Sequence, residues 1–166
     1  MKEKANEFYE LSNSFCNYII NNIVEDNSLK YIIEELMKIY LLAINLPNVN
    51  IKESEENKQY KYKIYEETDI KVSKKTNISY WNVLTPLYNP PLEDEPVQSI
   101  LRNDLKEIIE DLLYGNVLYE KGKIDDAVHE WKNSCFMHWG GNHAMGLFSA
   151  IHAKLSYNYL HENSNK

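Results

Sequence analysis

What most constrains this chain is the spacing of its apolar residues, which over most of its length recur every three or four positions, the period of a helix with one buried face. From about Lys4 to Val24 the row is Phe8, Leu11, Phe15, Ile19 and Ile23. The polar cluster Glu25-Asp26-Asn27-Ser28 offers turn and N-cap side chains, and a second row follows it: Leu29, Ile32, Ile33, Leu36, Tyr40 and Ala43. This second helix runs to about Leu46, where Pro47 stops it. So short a connection favours an antiparallel hairpin.

Residues 48–78 change character, being charged and poor in long aliphatic side chains. Their only visible pattern is a brief alternation at Tyr60, Tyr62 and Ile64. The expectation is a solvated polar excursion, a mobile loop or a short hairpin, exposed enough to contact a partner. Residues 79–97 combine several prolines with Tyr80, Trp81, Leu84, Leu87 and Tyr88. They cannot form a regular helix and are too apolar to float free, which predicts an extended strap across the bundle.

Helical spacing resumes near Val97. Leu101, Leu105, Ile108 and Leu112 form the third buried row, with Tyr119 near its end, while Asp104, Glu107, Glu110 and Asp111 are placed mainly on other faces. Gly122 supplies a left-handed C-terminal position. A fourth helix from Ile124 to Trp139 carries Val128, Trp131, Cys135 and His138 on one side, with Asp125 and Asp126 in its first turn. Gly140-Gly141-Asn142 interrupts it. The last helix, His143 to about Tyr159, stacks Ala144, Leu147, Phe148, Ile151 and Leu155 before a polar tail at 161–166. The prediction is an all-α, single-domain bundle of about five helices.

Composition narrows the function. A formal net charge of −7 with a single arginine, Arg102, argues against a nucleic-acid surface, which needs clustered cations. An acidic domain suits a protein partner with a basic surface. The charged N-terminus and the absence of a long apolar run give an expectation of a cytoplasmic protein without a membrane partner. Cys16 and Cys135 stand far apart, outside any CxxC pair, and are expected to be reduced and buried.

Chemistry-bearing residues concentrate in residues 129–152, HEWKNSCFMHWGGNHAMGLFSAIH. His138 and His143 flank the double glycine, so a turn there brings both imidazoles to one place. The spacing is not HExxH, so a metal reading has to borrow carboxylates from elsewhere, for instance Asp104, Glu107 or Asp111. The plainer reading has both histidines capping helix ends while Trp131 and Trp139 fill the core. His143 and His152 sit at the rims of the last helix's apolar face, and His129 and His161 are placed toward solvent without a role. Cys135 beside His138 lacks a third orienting group and an oxyanion site, so no catalytic residues are assigned.

The run DLLYGNVLYEKGKIDDAVHEWKNSCFMHWGGNHAMGLFSAIH, together with the upstream YWNVLTP, resembles a bacterial family called domain of unknown function 5063. About half of the chain carries the resemblance. It implies an all-helical fold and a shared pocket, with Asp111, Tyr119, Trp131, His138, Trp139, Gly140, His143 and His152 at its characteristic positions. It implies no reaction.

The candidate ligand-pocket residues are therefore Tyr80, Trp81, Asp111, Trp131, His138, Trp139, His143 and His152, with His138 and His143 the candidate metal ligands. The functional expectation is a non-enzymatic interaction module, of the immunity or regulatory kind, that binds a cationic protein and needs no cofactor. The alternative is a small-ligand or divalent-metal site of hydrolase type built on the histidine and tryptophan cluster.

Overall fold

Each segment with helical apolar spacing is helical. The computed structural model describes residues 2–51, 55–72, 79–82 and 97–163. Among them it is an all-α bundle of α1 (Lys2–Asn21), α2 (Leu29–Ile44), α3 (Glu55–Val72), α4 (Leu101–Glu120), α5 (Ile124–Ser134) and α6 (Met145–Asn163). A π-helical segment, Cys135–Ala144, joins α5 to α6. Two short strands, β1 (Ser79–Asn82) and β2 (Val97–Ile100), pair antiparallel with Ser79 opposite Ile100 and Asn82 opposite Val97. No helix among the described residues is long and apolar enough to cross a membrane.

The core forms where the predicted rows meet. Phe8, Phe15 and Ile19 of α1 and Leu29, Ile32, Leu36, Ile39 and Ala43 of α2 are fully or almost fully buried. Each such large side chain contributes roughly 1.5–3 kcal/mol by leaving water. Helix α4 runs through the middle, against α1, α3, α5 and the π-helical segment. A polar seam sets its register on α1: Ser12 Oγ donates to Asn116 Oδ1 at 2.8 Å, Tyr9 donates to Glu120 at 2.8 Å, and Tyr119 donates to Asn6 at 3.0 Å. Its C-terminus closes in a Schellman motif. Gly122, at φ 77°, donates to the Tyr119 carbonyl at 2.9 Å, and Lys123 donates to that of Leu118 at 3.0 Å.

Five expectations need correction. Ile23 is 68% exposed, because α1 stops at Asn21, the Asn21 and Asn22 amides bond carbonyls of its last turn, and Val24 turns inward instead. Residues 55–72, expected as loop or hairpin, are helical. Tyr60, Ile64, Thr68 and Val72 recur every four residues; the last two are buried and the first two pack on the core. The apparent alternation was two members of that row with Tyr62, 73% exposed, between them.

Helix α4 begins at Leu101 rather than Val97, because 97–100 is strand. Its acidic residues do not all face water: Asp104, Glu110 and Asp111 are buried, since a helix enclosed on nearly every side has no fully solvated face. Gly140-Gly141-Asn142 does not break the chain into separate helices, because the π-helical segment carries helical bonding through it. Two smaller differences follow: α6 extends through 161–163, and His129 is tied to the bundle by a 2.8 Å bond from Nδ1 to the Val49 carbonyl. Residues 79–82 and 97–100 are the paired strands β1 and β2, and the rest of the expected strap, residues 83–96, lies outside the described residues.

Candidate functional site

The site starts from helix geometry. In an α-helix, at about 100° per residue, positions 138 and 143 would point about 140° apart. A π-helix bonds residue i to i+5, which places residues five apart one above the other. The ten-residue π-helical segment Cys135–Ala144 thereby brings His138 and His143 onto one side, their ring centroids 5.0 Å apart and nearly perpendicular. Gly140 permits this winding. A Cβ there would collide with the Cys135 carbonyl oxygen and would lie 3.1 Å from both Cys135 Sγ and Tyr40 Cε2.

Across from the imidazoles stands α4. Asp104, Glu107 and Asp111 are separated by three and four residues, so they share one face. His143 Nδ1 donates to Asp104 Oδ1 at 2.7 Å and His138 Nδ1 donates to Asp111 Oδ2 at 2.7 Å. The two aspartates are only 4% exposed, so both bonds lie in a weakly screening environment. Each bond also fixes a tautomer: with the proton on Nδ1, the neutral ring presents Nε2 as a lone pair.

Glu107 lies between the two pairs. Its Oε2 is 3.9 Å from His138 Nε2, and one donor atom each from Glu107, His138 and His143 lie within 4.8 Å of one another. Bonds of about 2.0–2.2 Å to one ion would hold such donors about 3–3.5 Å apart. The set is thus within roughly an ångström of the separation at which it would close on a cation, and Glu107 is only partly buried. Two imidazoles and a carboxylate, each imidazole backed by a second carboxylate, form a donor set suited to zinc, iron(II) or manganese(II).

The surroundings are strongly acidic. Burial pushes the Glu110 carboxyl up to about 7, against Lys106, whose ammonium lies 3.6 Å away. Tyr65 of α3 was missed by the sequence reading. Burial first, then the charges of Asp111, Glu110 and Glu107, hold its phenol well above the usual range. Burial alone pushes the Cys135 thiol up to about 12, which favours the protonated form over the nucleophilic thiolate.

The structure brings Asp111, His138 and His143 together and gives Trp131, Trp139 and His152 other surroundings. Trp131 is fully buried, packs on Phe8 at 4.7 Å between centroids, and donates to the Leu112 carbonyl at 3.2 Å. Its indole lies where a Cβ on Gly115 would be, a close approach that sequence reasoning missed. Trp139 is buried edge-on to Tyr40 at 6.1 Å and supports the π-helical segment from behind, its Nε1 without a hydrogen-bond acceptor among the described residues. His152 is exposed on α6 and meets Ser156 one turn later at 3.5 Å. Tyr80 and Trp81 lie on β1, and their side chains are outside the described part.

The family model described as Domain of unknown function (DUF5063) matches residues 1–157. No curated protein and no solved structure matches the chain.

Proposed function

The chain belongs to the Domain of unknown function (DUF5063) family, whose description names no activity, and from that premise we propose a divalent-metal centre of hydrolase type, with Glu107, His138 and His143 as ligands. One observation carries the reading: two imidazoles, each bonded through Nδ1 to a buried aspartate, and a third carboxylate, Glu107, each have a donor atom within 4.8 Å of the others. Histidines that only capped helix ends would bond backbone carbonyls, and here both bond carboxylates. Orienting partners of this kind are what metal-binding histidines recruit, because they fix the ring and raise its basicity as a ligand.

The residues divide the work. Asp104 and Asp111 hold the imidazoles, Glu107 supplies the mobile anionic ligand, and Gly140 lets the backbone wind so that both rings reach one point. Three protein ligands leave coordination positions open, the arrangement of a catalytic rather than a structural site. A divalent cation at such a site supplies Lewis acidity toward water or a carbonyl oxygen. The expectation of an interaction module rested on acidity and size, which many domains share; the convergence of His138, His143 and Glu107 is the more specific observation and reverses the order.

The test is the metal content of purified untagged protein by elemental mass spectrometry, before and after loading with zinc, manganese or iron(II). About one ion per chain, lost in His138→Ala and His143→Ala variants that remain folded by circular dichroism, is the expected result. Failure of the loaded wild-type protein to retain any of these ions would overturn the reading.

A further inference from the structure

Resting on that metal-centre reading, we propose that the substrate is a carbonyl compound with an apolar arm, and that a groove beside His138 receives the arm. The groove runs between the residues that follow α2 and the face shared by α5 and the π-helical segment. Its volume is about 340 Å³, and Pro47, Val49, His129, Lys132, Phe136 and Met137 line it. Small-ligand sites begin at about 300 Å³. Phe136 is 61% exposed and Met137 73%, two large apolar side chains left in water on the segment that carries His138. Exposed apolar groups gathered in one concavity, rather than scattered singly, mark a surface that a ligand covers.

The walls are fastened to each other. Lys132 Nζ donates to the Leu46 carbonyl at 2.5 Å and His129 Nδ1 to that of Val49 at 2.8 Å, so α5 holds the opposite wall at two points. A groove fixed in this way gives up little freedom when it is filled. One wall leads on to the histidines through the backbone. Met137 precedes His138, less than a quarter turn away round the π-helical segment, and the His138 side chain is itself 41% exposed. A head on the metal and an arm laid across Met137 toward Phe136 thus occupy adjoining surfaces.

The experiment uses the full chain loaded with cobalt(II), whose visible spectrum reports ligand exchange, titrated at constant pH with acetohydroxamate or octanohydroxamate. The two share one chelating head and differ only in the arm. Octanohydroxamate should bind at least about tenfold more tightly, a modest part of what burying its methylenes is worth. With Phe136→Ala and Met137→Ala combined, that advantage should fall below about threefold. Comparing the two hydroxamates within the same variant cancels any change at the metal itself. Equal affinity of the wild-type protein for both, or an advantage undiminished in the variant, would overturn the role of the groove and leave the metal centre standing. Absence of any cobalt spectrum in wild-type protein would overturn the metal centre, and the role of the groove with it.

Discussion

Replacing Glu110 with glutamine should make the protein more stable at alkaline pH and leave it nearly unchanged in acid. Burial, the largest cause, together with Glu107 and Asp111, lifts this carboxyl from its ordinary 4.5 to about 7, and Lys106 only partly opposes the shift. The unfolded chain therefore releases this proton at lower pH than the folded one. Between those values the native state binds more protons, so the contribution of Glu110 to stability falls as pH rises through the window and is lost above about 7. At about 1.4 kcal/mol for each tenfold change in proton affinity, the penalty for holding the buried carboxylate is about 3 kcal/mol. Most of it, about 2–3 kcal/mol, develops between about pH 5 and pH 8.

The side chain is only 4% exposed, so little of this is lost to solvent screening. Its buried Oε1, which stands 3.6 Å from Lys106 Nζ and is hydrogen-bonded to no partner among the described residues, is replaced by an amide atom without a charge. The assay is urea unfolding of both proteins at the two pH values, with a chelator present so that metal binding does not enter. Glu110→Gln should lose about 2–3 kcal/mol less than wild type on going from acid to alkali. Parallel pH dependences would refute the reasoning, because they would mean that this carboxyl ionises alike in folded and unfolded chains.

Three further outcomes follow from the same geometry. Asp104→Ala and Asp111→Ala, each releasing one imidazole, should weaken metal binding by about 10–100-fold in competition with a chromophoric chelator; unchanged affinity would show that the aspartates do not orient the ligands. Gly140→Ala, which drives a Cβ into the Cys135 carbonyl, should cost about 1–3 kcal/mol, lower the Tm by about 2–4 °C per kcal/mol, and reduce metal retention; a variant with wild-type stability and metal content would refute the need for glycine in the π-helical winding. Cys16 and Cys135, whose thiols burial holds well above the usual range, should resist a thiol-reactive disulfide reagent in the native protein at neutral pH and react only on unfolding; prompt native reaction at Cys135 would reopen its role as a nucleophile.

By itself the sequence determined the all-α class, the buried rows of α1, α2 and α6, the left-handed turn at Gly122 and the region where chemistry concentrates. Apolar period and backbone freedom are local properties, and local properties are written in the chain. The segment 55–72 escaped because its buried face is a mixed row of tyrosine, isoleucine, threonine and valine, too weakly apolar to stand out among charges.

Tertiary structure decided the rest. Residue spacing tells where a side chain lies around its own helix axis, not which neighbour it meets, so Asp104, Glu107 and Asp111 could be named as lendable carboxylates but not assigned to His143 and His138. The five-residue interval between those histidines puts them on different faces under α-helical winding. Only the packing of Gly140 against Tyr40 and Cys135, with Trp139 buried behind it, accompanies the wider turn that brings them together. The burial of Glu110 is of the same kind, since a helix face lined with carboxylates reads as solvated until its neighbours enclose it.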